Sequence, residues 1–239
     1  MTTFRLMLDP PRSASLNMAI DEALMRSRAV HGPVLRFYGW EEPSITAGYF
    51  QNVEQVARRF GAEKKGIPVV RRLSGGGAVL HGQDLTFSLC LSHPNDFFPT
   101  DVKSSYLKIN EAVRVGLQNN YPGMDYADCR TISPQKKQGG ERVCFDAPAC
   151  YDLLMDGKKI LGSSQRRMHG TLLHQASLFL GAEHETLIKL IVRGFEENWG
   201  IRFENSELTE SERGSAERIE RSRYFSSEWA LFRERSFFS

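Results

Sequence analysis

Arg71-Arg72-Leu73-Ser74-Gly75-Gly76-Gly77-Ala78-Val79-Leu80-His81 is the stretch on which the reading of this chain turns. The residues leading into it have a strand's character: Val69 and Val70 are β-branched, and Pro68 stands at the start. Three glycines in a row then interrupt the run. Glycine loses more backbone freedom on folding than any other residue, so an unbroken triplet needs a reason. Either the chain turns sharply here, or a ligand approaches the backbone where a Cβ would block it. Two arginines before the glycines and a histidine after them frame a small concave site. Backbone N–H groups and a guanidinium there can hold a carboxylate, a phosphate or a carbonyl oxygen. Arg71, Arg72, Ser74, Gly75, Gly76, Gly77 and His81 are thus candidate substrate-binding residues. A glycine-rich hairpin with surface arginines gives a similar string. The generic phosphate motifs do not apply, because no Gly-Lys-Ser/Thr is present and no G-x-G-x-x-G opens a helix.

Composition sets the outer bounds. A chain of 239 residues can bury a substantial core, and 41% hydrophobic with 25% charged residues is ordinary for a soluble globular protein. A formal net charge of +2 gives no argument for nucleic acid or a membrane surface as partner. No apolar run approaches the ~20 residues that span a bilayer, and Met1 to Arg5 carry no signal-peptide pattern. The four cysteines, Cys90, Cys129, Cys144 and Cys150, form no C-x-x-C pair and no zinc spacing. The expectation is a cytoplasmic protein with reduced thiols and no metal, one of whose thiols is open to a reactive role.

Taken in order, Phe4 to Leu8 reads as a strand ended by Asp9-Pro10-Pro11. Ser13 or Ser15 caps a helix to about Arg28, with Met18, Ala19, Ala23 and Leu24 as its buried stripe. Strands follow at Val34 to Tyr38 and Ser44 to Tyr49. Asn52 and Gln55 have the spacing of a capping box for a helix to about Lys65. Asp84 to Ser92 is another strand. Thr100 caps a helix to about Asn119 that presents Val102, Tyr106, Ile109, Val113 and Leu117 on one face. Residues 121–142, rich in Pro, Gly, Gln and Lys, read as a long mobile loop. Tyr151 to Met155, the Asp156-Gly157 turn and the run from Lys159 form a hairpin, and a further strand spans Thr171 to Leu180. The tail reads as helical over 186–199, 206–222 and 226–232, with a second capping box at Thr209 to Glu212. Strands and helices are interspersed without strict alternation. The expected class is α/β of the α+β kind: a mixed, largely antiparallel sheet flanked by helices. No repeat or compositional break divides residues 1–239, so a single domain is expected.

A second constellation lies in residues 144–177. Lys159 follows the turn pair and precedes apolar Ile160. Gly162, Ser163 and Ser164 then put small residues where a strand is usually bulky, which suits a ligand lying against it. Solvated hairpin lysines at 158 and 159 are the plain alternative.

The two motifs together, Arg71 to His81 and Gly157-Lys158-Lys159-Ile160-Leu161-Gly162-Ser163-Ser164-Gln165, resemble the lipoate-protein ligase A/B family. Leu16 to Ala23, Leu35 to Trp40 and Gly48 to Gln51 match it as well, so the resemblance covers roughly residues 4–230. It implies the mixed α/β fold shared with biotin protein ligases. It also implies transfer of octanoate or lipoate to a lysine of a lipoyl domain. The glycine motif would line the acyl pocket, and Lys159 would bind the acyl carbonyl or an acyl-adenylate.

That family runs two chemistries. Ligases use ATP and Mg²⁺ to make an acyl-adenylate; transferases take octanoate from acyl carrier protein through a cysteine thioester. Asp84 to Ser88, the segment Cys144-Phe145-Asp146-Ala147-Pro148 and the tail pattern at Gly200-Ile201, Leu208-Thr209 and Glu228-Trp229 resemble the cysteine transferases. The implied catalytic pair is Cys144 and Lys159. No cofactor is expected unless the ligase alternative holds. The implied partners are octanoyl-acyl carrier protein and an apo-lipoyl domain, either the glycine cleavage H protein or a dehydrogenase E2 subunit, acting on a monomer. A nearby cation would favour thiolate over thiol and stabilise charge on the carbonyl oxygen. The departures are Gly75-Gly76-Gly77, closer to the ligases, and His174-Gln175-Ala176-Ser177, where the histidine is displaced by one position and so turned to the other strand face. Cys150 remains a rival nucleophile, and a non-catalytic lipoyl-domain-binding protein is the reading from a different class.

Overall fold

The structure, a computed structural model, describes residues 2–93, 98–130, 141–226 and 229. In chain order its elements are β1 (Thr3–Leu8), α1 (Ala14–His31), β2 (Val34–Tyr38), β3 (Ser44–Ala47), α2 (Val53–Phe60), α3 (Ala62–Lys65), β4 (Val69–Arg71) and β5 (Val79–His81). There follow β6 (Leu85–Ser92), α4 (Val102–Leu117), β7 (Met124–Tyr126), β8 (Leu153–Met155), β9 (Lys158–Met168), β10 (Thr171–Leu178), α5 (His184–Trp199), β11 (Arg202–Asn205) and α6 (Glu210–Ile219). A π-helical turn, Glu220–Tyr224, extends α6.

Among the described residues these strands build two sheets. The larger has the order β11-β1-β2-β6-β10-β9-β8-β7, and the smaller β4-β3-β5. In the larger sheet β1 pairs in parallel with β2 and β11, and the other pairings are antiparallel. The expected mixed, largely antiparallel sheet flanked by helices is what the chain forms. Alternation sorts each strand's residues between two cores. Phe37, Phe87, Leu89, Leu161 and Leu172 meet Ile109, Val113, Ile191 and Phe195 of α4 and α5 on one face. Val34, Cys90 and Leu173 meet Met18, Ala19, Ala23 and Leu24 of α1 on the other, where α6 and Trp229 also pack.

The α1 face carries two cross-strand rows that matter below. Tyr38, Thr86, Ser177 and Gly162 are partners in register across β2, β6, β10 and β9. Arg36, Ser88, Gln175 and Ser164 form the next row. The second row is a buried polar network centred on Asp21 of α1. Its carboxylate accepts from Arg36 Nη1 at 2.8 Å, Ser88 Oγ at 2.7 Å, Tyr38 OH at 3.0 Å and Gln175 Nε2 at 2.7 Å. Arg36 also donates to Asn17 Oδ1 and Asp9 Oδ2. The charges of Asp21 and Arg36 are thus taken out of water with their lone pairs and protons matched.

Several expected boundaries move. The helix expected to about Lys65 breaks at Gly61, whose φ of 61° is left-handed. Asn52 does cap it, but Glu141 rather than Gln55 accepts from the Asn52 N–H. Asp101, not Thr100, caps α4 by accepting from Ser104 N at 2.8 Å. Met124–Tyr126, assigned from sequence to a long loop, is an edge strand, while residues 131–140 of that loop lie outside the described residues. Arg202–Asn205 is a strand that sequence missed. Of the expected last helix, only 226 and 229 are described. The capping box at Thr209 and Glu212 and the Asp156-Gly157 hairpin, with φ of 50° and 75°, form as expected.

The Asp21 network sets a stability test. Asp21→Ala leaves the buried Arg36 guanidinium short of a counter-charge and should destabilise the fold by about 3 kcal/mol, read by urea denaturation. A loss under ~0.5 kcal/mol, the scale of ordinary surface substitutions, would contradict the role given to Asp21.

Candidate active site

Two chain segments meet at the site, and glycine allows the contact. The segment 142–144 lies against the glycine loop through paired backbone hydrogen bonds: Ala78 N donates to Arg142 O and Cys144 N to Ala78 O, both at 2.8 Å. A Cβ on Gly77 would stand 2.9 Å from Cys144 N and 2.9 Å from Val143 C, so no larger residue admits this docking. The choice left by sequence, turn or ligand, resolves partly into a third case: the close neighbour of Gly77 is the protein's own backbone. Gly76 has a φ of 85°. Its carbonyl packs so tightly on Gly48 that a Cβ at position 48 would collide with it. Gln51 holds the other side, accepting from Gly48 N and donating to Arg142 O. An Arg59–Asp146 ion pair ties down the far end of the segment.

Cys144, half-buried, is delivered by this docking to Lys159. Lys159 Nζ donates to Cys144 O at 2.7 Å and lies 3.4 Å from Cys144 Sγ. It also pairs with Asp152 Oδ2 at 2.7 Å, both side chains being almost fully buried. Burial pushes the Asp152 carboxyl up; the Lys159 charge and the Ala149 N–H pull against it. Lys158, one residue earlier, is exposed. Gly162 lies beneath: a Cβ there would be 2.8 Å from Cys144 Sγ and 2.9 Å from Lys159 Cε. The thiol and the ammonium thus share space that only glycine leaves open.

From Cys144 a narrow cleft of about 20 Å³ runs over the α1 face of the sheet. Cys144, Gly162, Ser163 and Ser164 line it at one end; Tyr38, Trp40, Thr46, Thr86, Val79 and His81 line the rest with Met18, Arg72, Gln175, Ala176 and Ser177. The lining combines apolar side chains with polar atoms that are mostly already bonded. His81 is held between Asp84 Oδ2 at 2.8 Å and Thr46 Oγ1 at 2.9 Å, and its ring stacks on Trp40 at 4.0 Å. Burial opposes charge on Asp84, but His81, the Thr86 hydroxyl and the Gly82 N–H bring its carboxyl down to about 2. Arg72 is spent on Thr46 O, Ser74 Oγ, Gly75 O and Gly77 O, which pins the glycine loop. Ser163 Oγ, on the opposite face of β9 from Gly162, is buried with no hydrogen-bond partner.

The structure therefore gathers Cys144, Lys159, Arg72, His81, Gly162, Ser163 and Ser164 in one place. It does not bring Arg71 there. Adjacent strand residues face opposite ways, and Arg71 donates to Trp229 O, Tyr49 O and Gln51 O instead. Ser74 lies just behind the cleft, bonded to Ser164 Oγ and Gln175 Oε1. Gly75, Gly76 and Gly77 shape the cleft from behind and do not line it. His174 is outside the cleft, on the α4 face, beside Tyr106 and bonded to Gln165; burial pushes its imidazole down to about 3. Asp152 and the Trp40, Thr46, Thr86 and Ser177 lining went unnoticed in sequence.

The expectation of reduced thiols is corrected. Cys129 and Cys150 are joined in a disulfide, with their Cα atoms 4.6 Å apart. Cys150 is thereby removed as a rival nucleophile, and Cys90 is buried, which leaves Cys144 as the accessible thiol among the cysteines. Denaturing alkylation without reductant should label two cysteines and, after reduction, four; four labels without reductant would contradict the pairing. Among the described residues no cluster of His, Cys, Asp and Glu could hold a metal ion, and no helix is long and apolar enough to cross a membrane.

The chain is similar to known proteins over most of its length. The lipoyl protein ligase A/B catalytic domain model matches residues 13–206. Octanoyltransferase LipM of Geobacillus kaustophilus is 32% identical over 260 residues, covering 90% of this chain and 93% of that protein. The LipM of Bacillus subtilis is 35% identical over 194 residues, covering 80% and 70%. Among solved structures, lipoate-protein ligase A bound with ATP superposes with a TM-score of 0.79 at 26% identity, covering 96% of this chain and 98% of that one. The bipartite lipoate protein ligase of Thermoplasma acidophilum, at 24% identity and a TM-score of 0.78, shares the fold over 99% of this chain. With the family model spanning most of the chain and the Geobacillus relative aligned over nine-tenths of both proteins, this protein belongs to the lipoyl protein ligase A/B catalytic domain family.

Proposed function

We propose that this chain is an octanoyltransferase that moves an octanoyl group from acyl carrier protein to a lysine of an apo-lipoyl domain through a thioester on Cys144. The observation that carries the reading is the Lys159 ammonium 3.4 Å from Cys144 Sγ, at the end of a cleft of the right character for an acyl chain. The name shared by the relatives, octanoyltransferase LipM, supports it.

The chemistry proceeds in two exchanges. Cys144 Sγ attacks the thioester carbon of the carrier-bound octanoate. The carbon–sulfur bond to the carrier breaks, the carrier leaves as its thiol with the proton that Cys144 gives up, and Cys144 holds the acyl group. The acceptor lysine's amine then attacks the same carbon. The bond to Cys144 Sγ breaks, the amide forms, and the amine's proton returns the cysteine to its thiol. Lys159 stands where a positive charge opposes the negative charge that develops on sulfur and carbonyl oxygen in each exchange. Asp152 and the carbonyl of Cys144 hold it there. The acyl tail lies against the first cross-strand row, over Gly162 and Ser177. No step requires ATP, a metal or another cofactor. We place the protein in the cytoplasm as a monomer, taking its acceptor from the glycine cleavage H protein or a dehydrogenase E2 subunit.

Apo-lipoyl domain incubated with octanoyl-carrier and no ATP should gain one octanoyl group. Modification seen only with free octanoate, ATP and Mg²⁺ would instead establish the adenylating chemistry suggested by the ATP-bound structural relative. Lys159→Ala should reduce transfer about 10²–10³-fold, the scale of losing one preorganised charge-stabilising donor. Lys158→Ala, altering an exposed residue, should change it less than about twofold; a reversal of the two would show that the hairpin presents the other lysine.

A further inference from the structure

The cleft has a direction, and the sheet supplies its scale. Gly162, Ser177 and Thr86 are register partners on β9, β10 and β6, on the face toward α1. Gly162 lies under Cys144 Sγ. The cleft therefore starts at Cys144 and crosses the strands, over side chains of minimal height. Neighbouring strands are ~4.8 Å apart, so Gly162 to Thr86 is about 10 Å. With carbon–carbon bonds near 1.5 Å, an extended alkyl chain advances about 1.25 Å per bond, and eight carbons span about 9 Å.

The far end is built to be rigid. Trp40 Nε1 donates to Thr86 Oγ1 at 2.9 Å, and Thr86 Oγ1 donates to Asp84 Oδ2 at 2.7 Å. The same Asp84 oxygen holds His81, on which the Trp40 ring stacks. The indole is thus fixed by one hydrogen bond through its nitrogen and one stacking partner on its face. Beyond it, Tyr38 closes the row, its hydroxyl committed to Asp21. The parallel row of Ser164, Gln175, Ser88 and Arg36 is an interlocked polar network, which gives the chain no apolar side exit.

We propose that Trp40, locked onto Thr86 and His81, is the stop that limits the acyl group to about eight carbons, and that Ser177 is the half-way mark of the same ruler. The inference rests on the thioester reading above and adds the residues that set chain length. Its consequences run in opposite directions. Trp40→Ala removes the stop and should admit longer chains. Ser177→Val raises a branched side chain one strand from Gly162, where about four carbons have been accommodated, and should exclude octanoyl while keeping butanoyl.

The test is acyl loading of Cys144 from carrier proteins bearing four-, eight-, ten- and twelve-carbon chains, followed by intact mass, with circular dichroism on each variant. In the unaltered protein the ten- and twelve-carbon donors should load at least tenfold more slowly than octanoyl. Trp40→Ala should bring the ten-carbon donor within threefold of octanoyl; Trp40→Leu, which fills more of the space, serves if the alanine variant does not fold. Ser177→Val should slow octanoyl at least tenfold and leave butanoyl within threefold of its original rate. Adducts whose length profile is the same in the unaltered protein and both variants would overturn the inference and leave the transfer reading standing. No adduct from any donor would overturn both.

Discussion

One ammonium group organises this site. Lys159 Nζ has the carbonyl oxygen of Cys144, the thiol of Cys144 and the carboxylate of Asp152 around it, brought together from β9, the segment docked on the glycine loop and the residues before β8. A lysine that leaves water needs such partners, since an uncompensated buried charge costs several kcal/mol. Here the partners do double service. The carbonyl and carboxylate fix where the charge stands, and the thiol is what the charge faces. The tight turn at Asp156-Gly157 sets the lysine's register, and the absence of a side chain at Gly162 makes room for both groups.

The second requirement is that the thiol be presented and not merely nearby. The segment bearing Cys144 has no regular secondary structure of its own. It borrows order from the glycine loop through the two hydrogen bonds at Ala78 and from Gln51 and Arg59. Arg72 stiffens the loop from within by donating to Gly75 O and Gly77 O. The Cys129–Cys150 disulfide anchors the chain between Cys144 and Asp152 to the segment after β7. Beneath all of this the Asp21 network gives the sheet face a rigid polar floor. Each of these contacts lies outside the Cys144–Lys159 pair and decides its geometry.

How much of this was legible in the sequence follows from which signals are local. Alternation in Leu85 to Ser92 and Thr171 to Leu178, the helical stripe of α4 and the Asp-Gly turn are local patterns, and they gave the sheet class and the position of Lys159. Cys144 was readable through family resemblance. Short polar edge strands such as Met124–Tyr126 and Arg202–Asn205 carry too few residues for a period to show. The Cys129–Cys150 pairing spans 21 residues with no motif to announce it. Asp152 looks like any loop carboxylate until the fold sets Lys159 beside it. The paired arginines were equivalent in sequence, and only the strand's facing separates Arg72 at the cleft from Arg71 on Trp229 O. The glycines called for a close approach, but sequence could not say that the approaching group at Gly77 would be the protein's own backbone.

The most direct measurement on this account is the intact mass of the protein after brief exposure to octanoyl-acyl carrier protein, without ATP and without acceptor. One octanoyl group should be found, released by hydroxylamine as a thioester is, absent in Cys144→Ala and retained in Cys150→Ala. An adduct that survives Cys144→Ala, or acceptor modification at full rate in that variant, would contradict the account and move the chemistry away from Cys144.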